Sequence, residues 1–313
     1  MRGLELSREY FEEFGRPMLE SQFPEVLPYL AAGLIGSGSE CMGFDDETST
    51  DHDFEPGFLI FLPDEDTVDR RTAFLLERAY AKLPREYRGF KRSLMAPVGG
   101  MRHGVVRTED FLKEKLGRAD AGLSVYDWMT IPSQSLLELT GGEIYFDHFG
   151  EITRVREALA AYPEDIRLKK LAGQLLTAAQ AGQYNYSRTL AHGENGAAQL
   201  AVFSFVKSAM SCIFLLNKTY EPYYKWSFRA LRAQEKLSIE AELFEYLITT
   251  DNDAAMAEEK QNVIEGIAAD IIDELIEQGV TKAICGDLEK HAYSVNDMIT
   301  DPEIRNMHIL AAV

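Results

Sequence analysis

At 313 residues the chain exceeds the usual size of one domain, so two domains and a sizeable core are expected. Thirty-two basic against 51 acidic residues give a net charge of -19, which repels phosphate backbones and disfavours nucleic acid as a partner. With 46% apolar and 27% charged residues the composition is that of a globular protein, without a basic patch for anionic lipid or a continuous apolar span for a membrane.

The opening "MRGLELSREYFEEF" alternates charged with apolar residues and lacks a signal-peptide core, so cytoplasmic residence is expected. Three scattered cysteines, Cys41, Cys212 and Cys285, suit a reducing compartment and have no zinc-site spacing. Residues 7–22 read as an amphipathic helix carrying Tyr10, Phe11, Phe14 and Leu19, which Pro17 should kink or end. "VLPYLAAGLIG" reads as a buried strand running into a Gly-Ser turn, and "GFLIFLP" as a second strand. Helix returns over 67–83. "RHGVVRT" is a weak strand, "TEDFLKEKLG" a helix with Thr108 as cap and Gly117 as stop, and "GGEIYFDHFGE" a strand between glycine turns.

After Glu151 the apolar residues recur at helical spacing. Val206, Ala209, Met210, Ile213 and Leu216 form one stripe; Ile264, Ile267, Ile271 and Leu275 form another, closed by Gly279. The expected fold is α+β: an N-terminal α/β domain with a small mixed sheet over 1–150, and a C-terminal all-helical bundle over 151–313.

The chemistry concentrates in "GSGSECMGFDDETSTDHDFEP", Gly36 to Pro56. It is not a P-loop, and Cys41 stands where the dinucleotide fingerprint needs its third glycine. Neither Ser37 nor Ser39 sits in a nucleophile elbow, and an EF-hand begun at Asp51 would place Pro56 and Leu62 where Gly and Glu belong. What remains is a Gly-Ser pair followed, 12 residues after Ser39, by Asp51-His52-Asp53 entering a strand. In an extended segment Asp51 and Asp53 share a face, which suits Mg²⁺, while amides at the bend can cradle a terminal phosphate. His52 would then face away, and Asp45 and Asp46 read as turn residues or orienting acids.

These residues resemble the G-S…D-x-D signature of the polymerase-β-type nucleotidyltransferase superfamily, which includes kanamycin nucleotidyltransferase. The likeness is closer still to a group of uncharacterised bacterial nucleotidyltransferase-like proteins with a helical C-terminal domain. It continues through "YPEDIR", "YEPYYKW" and "HAYSVNDMITDPEIRN". The resemblance implies that Gly36, Ser37, Gly38 and Ser39 hold a nucleotide triphosphate, with ATP the foremost candidate, and that Asp51 and Asp53 bind Mg²⁺. It also implies a third catalytic carboxylate, for which Asp147 is the first candidate and Glu143 the second. Lys225 would reach the β- or γ-phosphate. Tyr184, Tyr186 and Arg188 could line an acceptor pocket. The implied reaction transfers a nucleoside monophosphate to a hydroxyl of a small-molecule or protein acceptor. A catalytically silent nucleotide-binding module of the same fold is the alternative, because "RHGVVRT" carries no acid.

Overall fold

The computed structural model describes residues 2–46, 55–92 and 102–313. The chain divides into two compact units, Met1–Leu123 with Ile131–Ala160, and Ser124–Thr130 with Ala161–Val313. Against an expected boundary near 150, the helix at 151–158 lies in the first unit and a short helix at 125–130 in the second.

The first unit begins with α1 (Gly3–Tyr10), a π-helical segment (Phe11–Gly15) and α2 (Arg16–Gln22). The helix does not end at Pro17. It widens into π turns just ahead, leaving Pro17 in the first turn of α2, where its missing N–H and fixed φ are tolerated. Then follow β1 (Ala31–Leu34), β2 (Leu59–Leu62), α3 (Arg70–Tyr80), a hairpin of β3 (Glu86–Tyr87) and β4 (Phe90–Lys91), β5 (Gly104–Arg107) and α4 (Thr108–Leu116). After α5 (Val125–Thr130) come α6 (Ser133–Thr140), β6 (Glu143–Asp147) and α7 (Glu151–Ala158). Thr108 is the first residue of α4 rather than its cap: its hydroxyl donates to the Leu62 carbonyl at 3.2 Å and ties the helix to β2.

Four strands form one mixed sheet in the order β5-β2-β1-β6. β1 runs antiparallel to both β2 and β6, and β2 runs parallel to β5. On one face Ala32, Ile60 and Leu62 pack with Leu6, Tyr10 and Phe11 of the first helix and Leu76 of α3. On the other, Phe61 meets Phe111 of α4 edge to face at 5.3 Å. Each such large apolar side chain contributes about 1.5–3 kcal/mol when fully buried. Gly33 lets β6 approach β1: a Cβ there would lie 2.3 Å from the Glu143 carbonyl, beside the bulge between Ala32 and Gly33.

The second unit is helical, and among the described residues no strand follows Asp147. It holds α8 (Glu164–Ala178), a second π-helical segment (Ala179–Asn185), α9 (Tyr186–Ala191), α10 (Asn195–Leu216), α11 (Tyr224–Arg232), α12 (Glu240–Thr249), α13 (Ala254–Glu277), α14 (Leu288–Asp297) and α15 (Pro302–Asn306). Both expected stripes are buried. Among the described residues α10 is the one helix long and apolar enough to cross a bilayer, yet 72% of its apolar window is buried within the fold. That makes it a core helix.

Three charged groups test this core. The ammonium of Lys260 is buried but donates to Gln199 Oε1, the Thr250 carbonyl and Asn252 Oδ1 at 3.2, 2.9 and 2.7 Å. Lys169 donates likewise to Asn296 Oδ1 and the Arg305 and Met307 carbonyls. Both are satisfied. Glu240, at the start of α12, is not: it is fully buried and, among the described residues, its carboxyl oxygens have no hydrogen-bond partner beyond the approach of the Asp270 carboxylate. Burial, and then the nearby Asp270 of α13, push its carboxyl up to about 7. Among the described residues no other charged group on α10, α11 or α13 contributes to that shift.

A raised acid favours the folded state while protonated, so stability should fall as pH rises from about 4.5 towards 7 and then level. Glu240→Gln is therefore expected to stabilise the chain at pH 8 by about 1–3 kcal/mol and to have little effect at pH 4.5. Urea unfolding at the two pH values checks this.

Candidate functional site

Strand direction decides what meets at each end of the sheet. β1 ends at Leu34 and the chain bends through Gly36–Ser39 into a short 3-10 turn, Glu40–Met42. β2 starts beside that end, since Leu59 pairs with Gly33; β5 starts beside β2, since Gly104 pairs with Leu59; and β6 starts at Glu143, opposite Leu34. The Gly-Ser bend, the segment entering β2, Arg102-His103 entering β5, and Glu143 therefore gather at one end.

The bend is shaped for contact with an acceptor. Gly36 and Gly38 have φ of +113° and +139°, which L side chains rarely adopt. The Gly36 amide donates to the Glu138 carbonyl at 2.9 Å and fixes the bend to α6. The amides of Gly38 and Ser39 and the hydroxyl of Ser39 donate to no acceptor among the described residues. These are adjacent open donors. Over Gly38 lies a buried ion pair between Arg102 and Glu40; a Cβ there would stand 2.6 Å from Arg102 Nη2 and 2.7 Å from the Glu40 carboxyl oxygens. Burial lowers the Arg102 guanidinium to about 10, so it stays cationic at neutral pH. Cys41 is buried, and desolvation pushes its thiol up to about 12. It is a core residue.

Asp51, His52 and Asp53 lie outside the described residues. β2, which follows them in the chain, begins at Leu59. The flanks of their connection are anchored by α1. The amide of Gly3 donates to Asp45 Oδ2 at 2.7 Å, and buried Ser7 donates to the Gly57 carbonyl. Tyr80 holds Phe58 twice, accepting from its amide at 3.0 Å and donating to its carbonyl at 2.8 Å. His103, 3.9 Å from Glu55, is lowered to about 4 by burial and by the Arg92 and Arg102 guanidiniums. It is neutral at pH 7, so this approach is not an ion pair.

The two candidates for a third carboxylate sit at opposite ends of β6. Asp147 pairs with Ala31, ~13 Å along the strand from Glu143 and away from the bend. Its oxygens accept from the Gly150 and Thr153 amides at 2.7 and 2.8 Å, where they cap α7. Glu143 is at the bend's end, held by the Arg8 guanidinium. Lys225 lies in the second unit, exposed in the first turn of α11, its ammonium 5.1 Å from the Trp226 ring. In the same unit Tyr186 is fully buried with its hydroxyl on Asn252, while Arg188 donates to exposed Tyr184. Among the described residues no group of three or more His, Cys, Asp or Glu is placed to hold a metal ion. Sequence reading missed Arg102 and Glu40: the strand "RHGVVRT" was searched for an acid, and the arginine at its threshold was the informative residue.

A family model described as a domain of unknown function (DUF4037) matches residues 128–227, parts of both units. No curated protein matches the chain. Among solved structures the chain aligns with the crystal structure of a nucleotidyltransferase-like protein from Exiguobacterium sibiricum 255-15. Identity is 10% over 87% of this chain and 77% of that one, at a TM-score of 0.38. A likeness at that level bears no argument.

Gly36→Ala should cost about 1–3 kcal/mol from backbone strain alone, since only the Phe111 ring is near. Gly38→Ala should cost more, because it also displaces the Arg102–Glu40 pair. Thermal melts of the two variants check this order.

Proposed function

We propose that this chain is a nucleotidyltransferase, moving a nucleoside monophosphate from an NTP such as ATP to a hydroxyl of a small-molecule or protein acceptor. One observation carries the reading. The open amides of Gly38 and Ser39 stand at the same sheet end from which the chain carrying Asp51 and Asp53 enters β2.

In this reading the terminal phosphates accept hydrogen bonds from the two amides and the Ser39 hydroxyl, as anions do at such bends. Arg102 supplies positive charge beside Gly38, partly offset by Glu40. Asp51 and Asp53 would hold Mg²⁺, which when bound neutralises charge on the triphosphate. The acceptor oxygen forms its bond to the α-phosphorus as the bond to pyrophosphate breaks. Its proton passes to a carboxylate, and Glu143 is the better placed of the two candidates. Positioning and charge supply most of the rate in such a transfer.

A second reading, nucleotide binding without turnover, is favoured by the Arg8 guanidinium that holds Glu143. Pyrophosphate release separates the two.

Asp51→Asn combined with Asp53→Asn is expected to lower Mg²⁺-dependent NTP turnover at least about 100-fold with an unchanged melting temperature. Asp147→Asn should leave turnover within about two-fold while costing about 1 kcal/mol of stability. Turnover unaffected by the double change would refute the proposal.

A further inference from the structure

A second cluster of positive charge lies in the first unit. It lines a cavity of about 250 Å³ between α3, the β3–β4 hairpin and the start of β5, with Tyr80, Arg85, Arg92, His103 and Glu77 among its walls. Arg85 and Arg92 are the pair just beyond the hairpin ladder: Glu86 pairs with Lys91, and the Arg92 amide donates to the Arg85 carbonyl at 2.8 Å. Like charges directly opposite one another are destabilising. Neither arginine makes an ion pair among the described residues, in a chain with 51 acids to 32 bases.

Arg92 is the more constrained. Its Nη2 donates to the Tyr10 hydroxyl and, at 3.1 Å, to the Pro84 carbonyl. Its guanidinium lies 5.0 Å from the Tyr80 ring centre and 5.5 Å from that of Tyr10. Its Nε is buried and has no acceptor among the described residues. A charged donor left so is costly, and an oxygen anion would satisfy it. Glu77 is the one carboxylate on the lining, so two guanidiniums outweigh it. The volume falls below the ~300–1,000 Å³ of pockets for larger organic ligands and suits one tetrahedral anion with water.

We propose that this cavity is an oxyanion site, in which Arg85 and Arg92 together bind a phosphate. The anion bridges two guanidiniums that make no ion pair among the described residues, and its oxygens accept from them. The proposal does not depend on the nucleotide reading.

The test titrates inorganic phosphate into the full chain at constant ionic strength, following the Arg92 Nε–Hε signal by nuclear magnetic resonance. A saturable shift is expected in the wild type and in the Asp51→Asn, Asp53→Asn variant alike. Arg85→Gln, at an exposed position, should weaken it about ten-fold without changing the melting temperature. AMP is titrated in parallel: tighter phosphate assigns a free anion, tighter AMP the phosphate of a nucleotide, and either supports the site. An Arg92 signal unmoved by millimolar phosphate and AMP, or an Arg85→Gln chain that binds as wild type does, overturns it.

Discussion

The antiparallel turn from β1 to β2 is the constraint on which the candidate site depends. Because β1 ends where β2 begins, the chain must leave the sheet and return at the same end. Ile35, which leaves β1, and Phe58, which enters β2, therefore both stand at that end. The parallel pairing of β5 with β2 brings Arg102 and His103 to the same place, and the antiparallel pairing of β6 with β1 brings Glu143. No single contact creates this gathering. It follows from strand direction, while the apolar pattern of the strands fixes which faces are buried, with Ala32 and Ile60 on one side and Phe61 on the other.

Charge is distributed by the same logic of satisfied and unsatisfied partners. The buried lysines of the helical unit are each saturated by three neutral acceptors, so they act as pins between helices. Glu240 is buried without such acceptors or donors around it, beside Asp270, and its carboxyl is pushed up to about 7 instead. Among the described residues of the first unit, two amides at the bend and the Nε of Arg92 are donors without an acceptor. In a chain of net charge -19, local sites of this kind offer an anion what the surface as a whole denies it.

Much of this architecture was legible in the sequence. The short apolar runs at 31–34 and 59–62 and the stripes of α10 and α13 are each one-face patterns that local sequence fixes. Gly36 and Gly38 were legible as a bend because few other residues adopt their backbone angles. Strand direction was not legible, and Asp147 shows the consequence. It has the right residue type on the right strand, yet the register carries it to the far end, where it caps a helix. Arg102 and Glu40 were missed for a related reason: only the parallel pairing of β5 and β2 makes them neighbours. Pro17 was read as kinking or ending the helix, and the π turns that carry the helix past it leave little trace in local propensity.

The most direct measurement of the central claim follows the backbone amides of residues 36–39 by nuclear magnetic resonance as Mg²⁺ and ATP are added. The account expects saturable shifts at Gly38 and Ser39, the two open donors, with a smaller change at Gly36, whose amide is already committed to Glu138. Saturable nucleotide binding that leaves the Gly38 and Ser39 amides unmoved would contradict it.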